Sequence, residues 1–228
     1  GLVAPGGSDL PLKTGGKPFA GDLIAFVSPS ETIVFEDLSE RPVLSINREF
    51  SAPVKLTTNL TAEDLTRLAA HDCDPFNRWQ SLQTLATRLL VGNVSLIRSG
   101  AAPVEDEGLI AALAAVLDDT KLEPAFIALS LAVPTEGDIA REIGREVDPE
   151  ANFQARKHLR AVIGRELMQA LVAAYAKMQT DAPYTPDAAS AGRRSLKNIA
   201  LDLMAATGDA EAIERALAQY RSADNMTD

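Results

Sequence analysis

The spacing of apolar residues changes near residue 58. Before it they fall in short runs broken by Gly and Pro. After it they recur every three or four positions in an Ala- and Leu-rich chain. Alternation fits a strand and a period of 3.6 fits a helix, so the pattern predicts a β region followed by an α region.

In the β region, Leu23–Val27 is a nearly continuous apolar run ended by Ser28-Pro29-Ser30. Thr32–Glu36 follows, with Ile33 and Phe35 on one face, and the two runs read as a hairpin. Val43–Asn47 places Leu44 and Ile46 on one face, and Val54-Lys55-Leu56 gives a last short strand. Gly6-Gly7 and Gly15-Gly16 mark turns. Four short antiparallel strands are marginal alone and need helices or more strands to cover their face and edges.

The α region carries clear start signals. Thr61 with Asp64 resembles a capping box, followed by Leu65 and Leu68. Asp74-Pro75 is an N-cap followed by Pro at the first helical position, opening the stripe Phe76, Trp79, Leu82, Leu85/Ala86 and Leu89. Further helices carry Leu109, Leu113, Val116 and Leu117, then Phe126, Ile127 and Leu131 ahead of Pro134. Thr135 with Asp138 opens the next, with Ile139 and Ile143 inward. Asp148-Pro149 starts what reads as the longest helix, with Leu159, Ile163, Leu167, Leu171 and Tyr175 in one row. Leu196, Ile199, Ala200, Leu203 and Met204 stripe another, stopped at Gly208. Asp209 caps the last, with Ile213, Leu217 and Tyr220. Eight helices result, at irregular spacing and with mostly short loops. No fixed repeat period makes this a regular solenoid, and stacked antiparallel helix pairs fit.

Composition narrows the function classes. Hydrophobic residues are 46% of 228, enough for one large domain or two smaller ones. The net charge of −10 leaves no excess of Lys and Arg for general nucleic-acid binding. The one cysteine, Cys73, cannot form an internal disulfide, which favours a reducing compartment and a cytoplasmic location. No apolar run approaches the ~18 residues of a membrane span. Gly1-Leu2-Val3 has neither a basic region nor a long apolar stretch and does not read as a signal peptide. Asn225 with Asp228 looks like the cap of another helix, so the chain reads as an excised segment.

Candidate chemistry is sparse. Only two histidines occur, His71 and His158, and there is no His-Glu-x-x-His. His71-Asp72-Cys73-Asp74 is the one tempting metal cluster; the simpler reading is a helix end at His71 and a cap at Asp74. Cys73 is a nucleophile only with a correctly placed base, for which His71 is the near candidate. His158, between Lys157 and Leu159 and near Arg160, reads as part of a solvated basic face. Glu105/Glu107 and Asp118/Asp119 read as helix ends, and Phe76 and Trp79 as core. No nucleophile elbow or phosphate-cradling Gly loop is present. The residues therefore assign no catalytic, cofactor-binding or metal site.

Several phrases resemble the bacterial aminopeptidase N family of M1 zinc metallopeptidases. The most specific is Arg48-Glu49-Phe50-Ser51-Ala52-Pro53-Val54-Lys55-Leu56, preceded by Thr32–Asp37 and Arg41-Pro42-Val43. Downstream, Asp74-Pro75-Phe76-Asn77-Arg78-Trp79, Arg194–Asn198 and Asp224–Asp228 follow in family order. The resemblance implies a small, partial Ig-like antiparallel β-sandwich over residues 1–57. A stacked helix-pair, HEAT/ARM-like domain would follow over 58–228, truncated at its C-terminal end. It also implies a parent enzyme that removes N-terminal residues from peptides. The family's zinc ligands and its Gly-Ala-Met-Glu-Asn motif are absent here, so no site residue carries over. The implied role is a non-catalytic β-linker and helical cover that encloses the active site and gates substrate. Zinc would belong to the parent alone, and the partners would be its catalytic thermolysin-like domain and peptide substrates, not nucleic acid or membrane. A free-standing helical module that binds proteins or peptides is the alternative.

Overall fold

A computed structural model describes all residues except 16, 19–22, 26, 55 and 181. The chain divides into two compact units, Gly1–Ser81 and Leu82–Asp228. Among the described residues, short two-stranded antiparallel sheets are followed by nine α-helices.

In the first unit, β1 (Leu2–Val3) pairs antiparallel with β4 (Val43–Leu44), in register Leu2 to Leu44 and Val3 to Val43. β2 (Lys13–Thr14) pairs with β3 (Lys17–Pro18) around a turn at Gly15, where φ is +57°. Val3, Val43 and Leu68 form the buried cluster, with Leu60 packed against it.

The expected hairpin over residues 23–36 does not form among the described residues; Phe26 lies outside them. Thr32–Glu36 carries no strand, although Ile33 and Phe35 are half-buried and Val34 is exposed. The alternation is there, but a strand also needs a partner ladder; among the described residues Glu36 N–H donates to Lys13 O at 3.0 Å and no ladder forms along 32–36. Lys55 lies outside the described residues too, and its neighbours Val54 and Leu56 are exposed. Leu44 and Ile46 do share a face, but it is the outward one; Val43 and Ser45 point in.

α1 (Ala62–His71) begins at the Thr61/Asp64 capping box, with both reciprocal bonds made. Leu65, Leu68 and Ala69 are its buried stripe. α2 (Pro75–Arg98) has 24 residues and is the longest helix among the described residues. Its buried apolar stripe runs Leu82, Leu85, Ala86, Leu90, Val94, and Leu89 is only half-buried.

In the second unit, α3 (Glu107–Asp118), α4 (Pro124–Leu131) and α5 (Glu136–Ile143) start at Asp106, Glu123 and the Thr135/Asp138 capping box. The helix expected from Pro149 through Tyr175 is two, α6 (Pro149–Glu166) and α7 (Met168–Lys177). Leu167 leaves helical geometry at φ −106°, ψ 14°. The row Leu159, Ile163, Leu167, Leu171, Tyr175 is nonetheless buried throughout. The bonds Leu167 N–H to Ile163 O and Leu171 N–H to Leu167 O carry it across the irregularity.

α8 (Ala188–Ala205) packs on α4, α6, α7 and α9 and is the centre of this unit. Glycines permit its closest approaches. A Cβ at Gly192 would stand 3.1 Å from Ala125 of α4, and one at Gly164 of α6 would stand 2.1 Å from Leu203 O. α9 (Ala210–Ser222) is capped by Asp209. Its expected stripe of Ile213, Leu217 and Tyr220 is exposed, and Ala212 is its buried residue. At the chain end, Asn225 Oδ1 accepts from Thr227 N–H at 2.9 Å, closing a turn.

Candidate functional site

The tempting cluster His71–Asp74 lies at the break between α1 and α2, and the structure turns it into a polar lock. Asp74 caps α2, its Oδ1 accepting from Asn77 N–H at 2.7 Å. Its other oxygen accepts from Glu49 N–H at 2.8 Å. Glu49 and Phe50 lie in the left-handed region, at φ +56° and +53°, inside the 3-10 turn Arg48–Phe50. Non-glycine residues seldom occupy that region without external support. Asp74 supplies part of that support. Asn47 supplies more, its side chain closing on Ala52 N–H at 2.8 Å and Ala52 O at 3.1 Å.

Asp72 sits deeper, with its side chain fully buried. It accepts from Ser45 Oγ at 2.5 Å, from Asp74 N–H at 3.0 Å and from the Arg48 guanidinium at 3.0 Å. Arg48 also grips Asp9 with two 2.7 Å bonds and donates from Nε to Ser45 Oγ at 2.8 Å. Ser45 Oγ takes a further bond from Asn77 Nδ2 at 2.8 Å, and the same amide donates to Ile46 O at 2.9 Å. The serine hydroxyl thus accepts twice and donates once, which is full use of its capacity. Arg78 Nε, also buried, donates to Ala69 O at 3.1 Å near the end of α1.

The two phrases that resemble the aminopeptidase family are therefore docked on one another. Arg48, Glu49 and Phe50 of the first meet Asp72, Asp74, Phe76 and Asn77 at the helix junction. Phe50 packs edge-on to Phe76 with ring centres 5.4 Å apart, and Phe76 lies 5.8 Å from Trp79. Phe76 and Trp79 are only half-buried, so they are not the deep core residues their spacing predicts.

Electrostatics follow the contacts. The Arg48 guanidinium holds the Asp9 carboxyl below its usual range, and Asp9 in turn raises Arg48. Cys73 Sγ donates to Asp9 Oδ2 at 3.2 Å. Burial first, and that carboxylate second, push the thiol pKa up. A nucleophilic cysteine needs the opposite shift and a base. The His71 ring instead packs beside Gly7, and Cys73 is committed to Asp9, so a Cys73–His71 catalytic pair is not formed. His158 lies on α6, in the other unit. Among the described residues, no group of three or more His, Cys, Asp or Glu is placed to hold a metal ion.

Asp9 and Ser45 carry no signal in the sequence, and Asn77 carries one only as part of a family-like phrase; their partners identify them. Asp74 does, as a cap. Asp74→Ala is expected to cost about 2 kcal/mol, from a lost N-cap and the orphaned Glu49 N–H. The check is the urea midpoint read on Trp79 fluorescence, and Asp74→Asn, which can still accept, should recover most of the loss.

Family comparison places the chain against known proteins. Residues 1–59 match the domain of unknown function DUF3458, described as an Ig-like fold. Residues 62–228 match DUF3458_C, described as ARM repeats. Aminopeptidase N of Caulobacter vibrioides is 41% identical over 199 residues, covering 86% of this chain and 22% of that protein. Aminopeptidase N of Escherichia coli is 31% identical over 97% of this chain and 25% of its own length. The crystal structure of Legionella pneumophila aminopeptidase A in complex with aspartic acid matches the whole chain and 26% of its own. The TM-score is 0.77 at 22% identity, which establishes the shared fold. The chain spans about a quarter of the length of these relatives.

Proposed function

We infer the function of this chain from its lineage: over residues 62–228 it belongs to the DUF3458_C family of ARM-repeat domains, preceded by the Ig-like DUF3458 region. Its role is that of a non-catalytic section of a zinc-dependent aminopeptidase that removes N-terminal residues from peptides. Residues 1–57 act as a β-linker, and 58–228 act as a helical cover that encloses the active site and gates substrate. The observation that carries this reading is similarity to aminopeptidases N along almost the whole chain, together with the packing of its two most family-like phrases into one lock.

Zinc does not fit the residues present. Structural and catalytic zinc sites take three or four converging His, Cys or carboxylate ligands. His71, Cys73 and their acidic neighbours are instead spent on packing, a cap and an ion pair. The metal and the chemistry it supplies belong to the catalytic domain of the parent. A helical cover contributes by excluding bulk water and folded proteins from such a site, which calls for rigid packing. The lone thiol fits a cytoplasmic setting. No described helix is long and apolar enough to cross a membrane.

The test is direct. The 228-residue chain is expected to bind no stoichiometric zinc and to hydrolyse no alanyl reporter substrate, with or without added zinc. The natural polypeptide that contains it should do both. Zinc-dependent turnover by the 228-residue chain would sink the reading.

A further inference from the structure

No further inference is drawn: the strongest candidate, the exposed apolar row of Ile213, Leu217 and Tyr220 along α9, is a surface patch that carries nothing, because nothing in the structure shows what covers it.

Discussion

Replacing Arg48 by methionine is expected to destabilise the Gly1–Ser81 unit by about 3–5 kcal/mol, the range for removing one partner of a buried charge pair. The Asp72 side chain is fully buried, and Arg48 is the cation that faces it. Methionine keeps the apolar stem of the arginine and removes its charge and all its donors. Asp72 would retain bonds from Ser45 and Asp74 N–H, but neither carries a positive charge. Asp9 would lose its bidentate partner as well, though its exposure lets water replace that bond at lower cost. Trp79, the single tryptophan, lies on the first turns of α2 within this unit, so its emission during urea unfolding reports the loss. The double variant Arg48→Met with Asp72→Asn should be clearly more stable than Arg48→Met alone, because the amide removes the uncompensated charge. A shift below 1 kcal/mol in the single variant, or no recovery in the double, would mean that the lock is incidental to stability.

How much of this was legible in the chain depends on the range of each interaction. Caps are local, and the capping boxes at Thr61/Asp64 and Thr135/Asp138 and the caps at Asp148 and Asp209 can be read directly from spacing. Apolar rows are local too, yet they report only which side chains align. The row from Leu159 to Tyr175 continues unbroken through Leu167, so it conceals the irregularity that divides α6 from α7. Along α9 the row predicts burial, but burial needs a neighbour, and Tyr220 is 82% exposed. Strands fail for the same reason: Thr32–Glu36 has the alternation and, among the described residues, lacks the ladder. The lock around Arg48 was the least legible. By residue type Ser45 and Asn77 look like surface residues, and their contact 32 residues apart reveals that they are buried. The resemblance pointed to the Arg48 and Asp74 phrases; the bonds between Glu49 and Asp74 and between Ser45 and Asn77 are the physical reason that both belong together.

Gly164→Ala separates local propensity from packing more sharply than any other change in the second unit. In the interior of an exposed helix this substitution stabilises by about 1 kcal/mol. Here the added Cβ would lie 2.1 Å from Leu203 O and 2.8 Å from Thr207 Cγ2. Leu203 O belongs to the backbone of the last turn of α8, and a backbone oxygen cannot swing aside as a side chain end would. Relief requires α6 and α8 to separate, and α8 also packs on α4, α7 and α9. The expected result is a net loss of about 3 kcal/mol, at the upper end of ordinary overpacking costs. Circular dichroism at 222 nm follows it, since the helices dominate this unit. Thr207→Ser removes the nearer side-chain contact and should rescue little, because the carbonyl clash remains. An unchanged or raised unfolding midpoint for Gly164→Ala would show that α6 and α8 do not cross as closely as described.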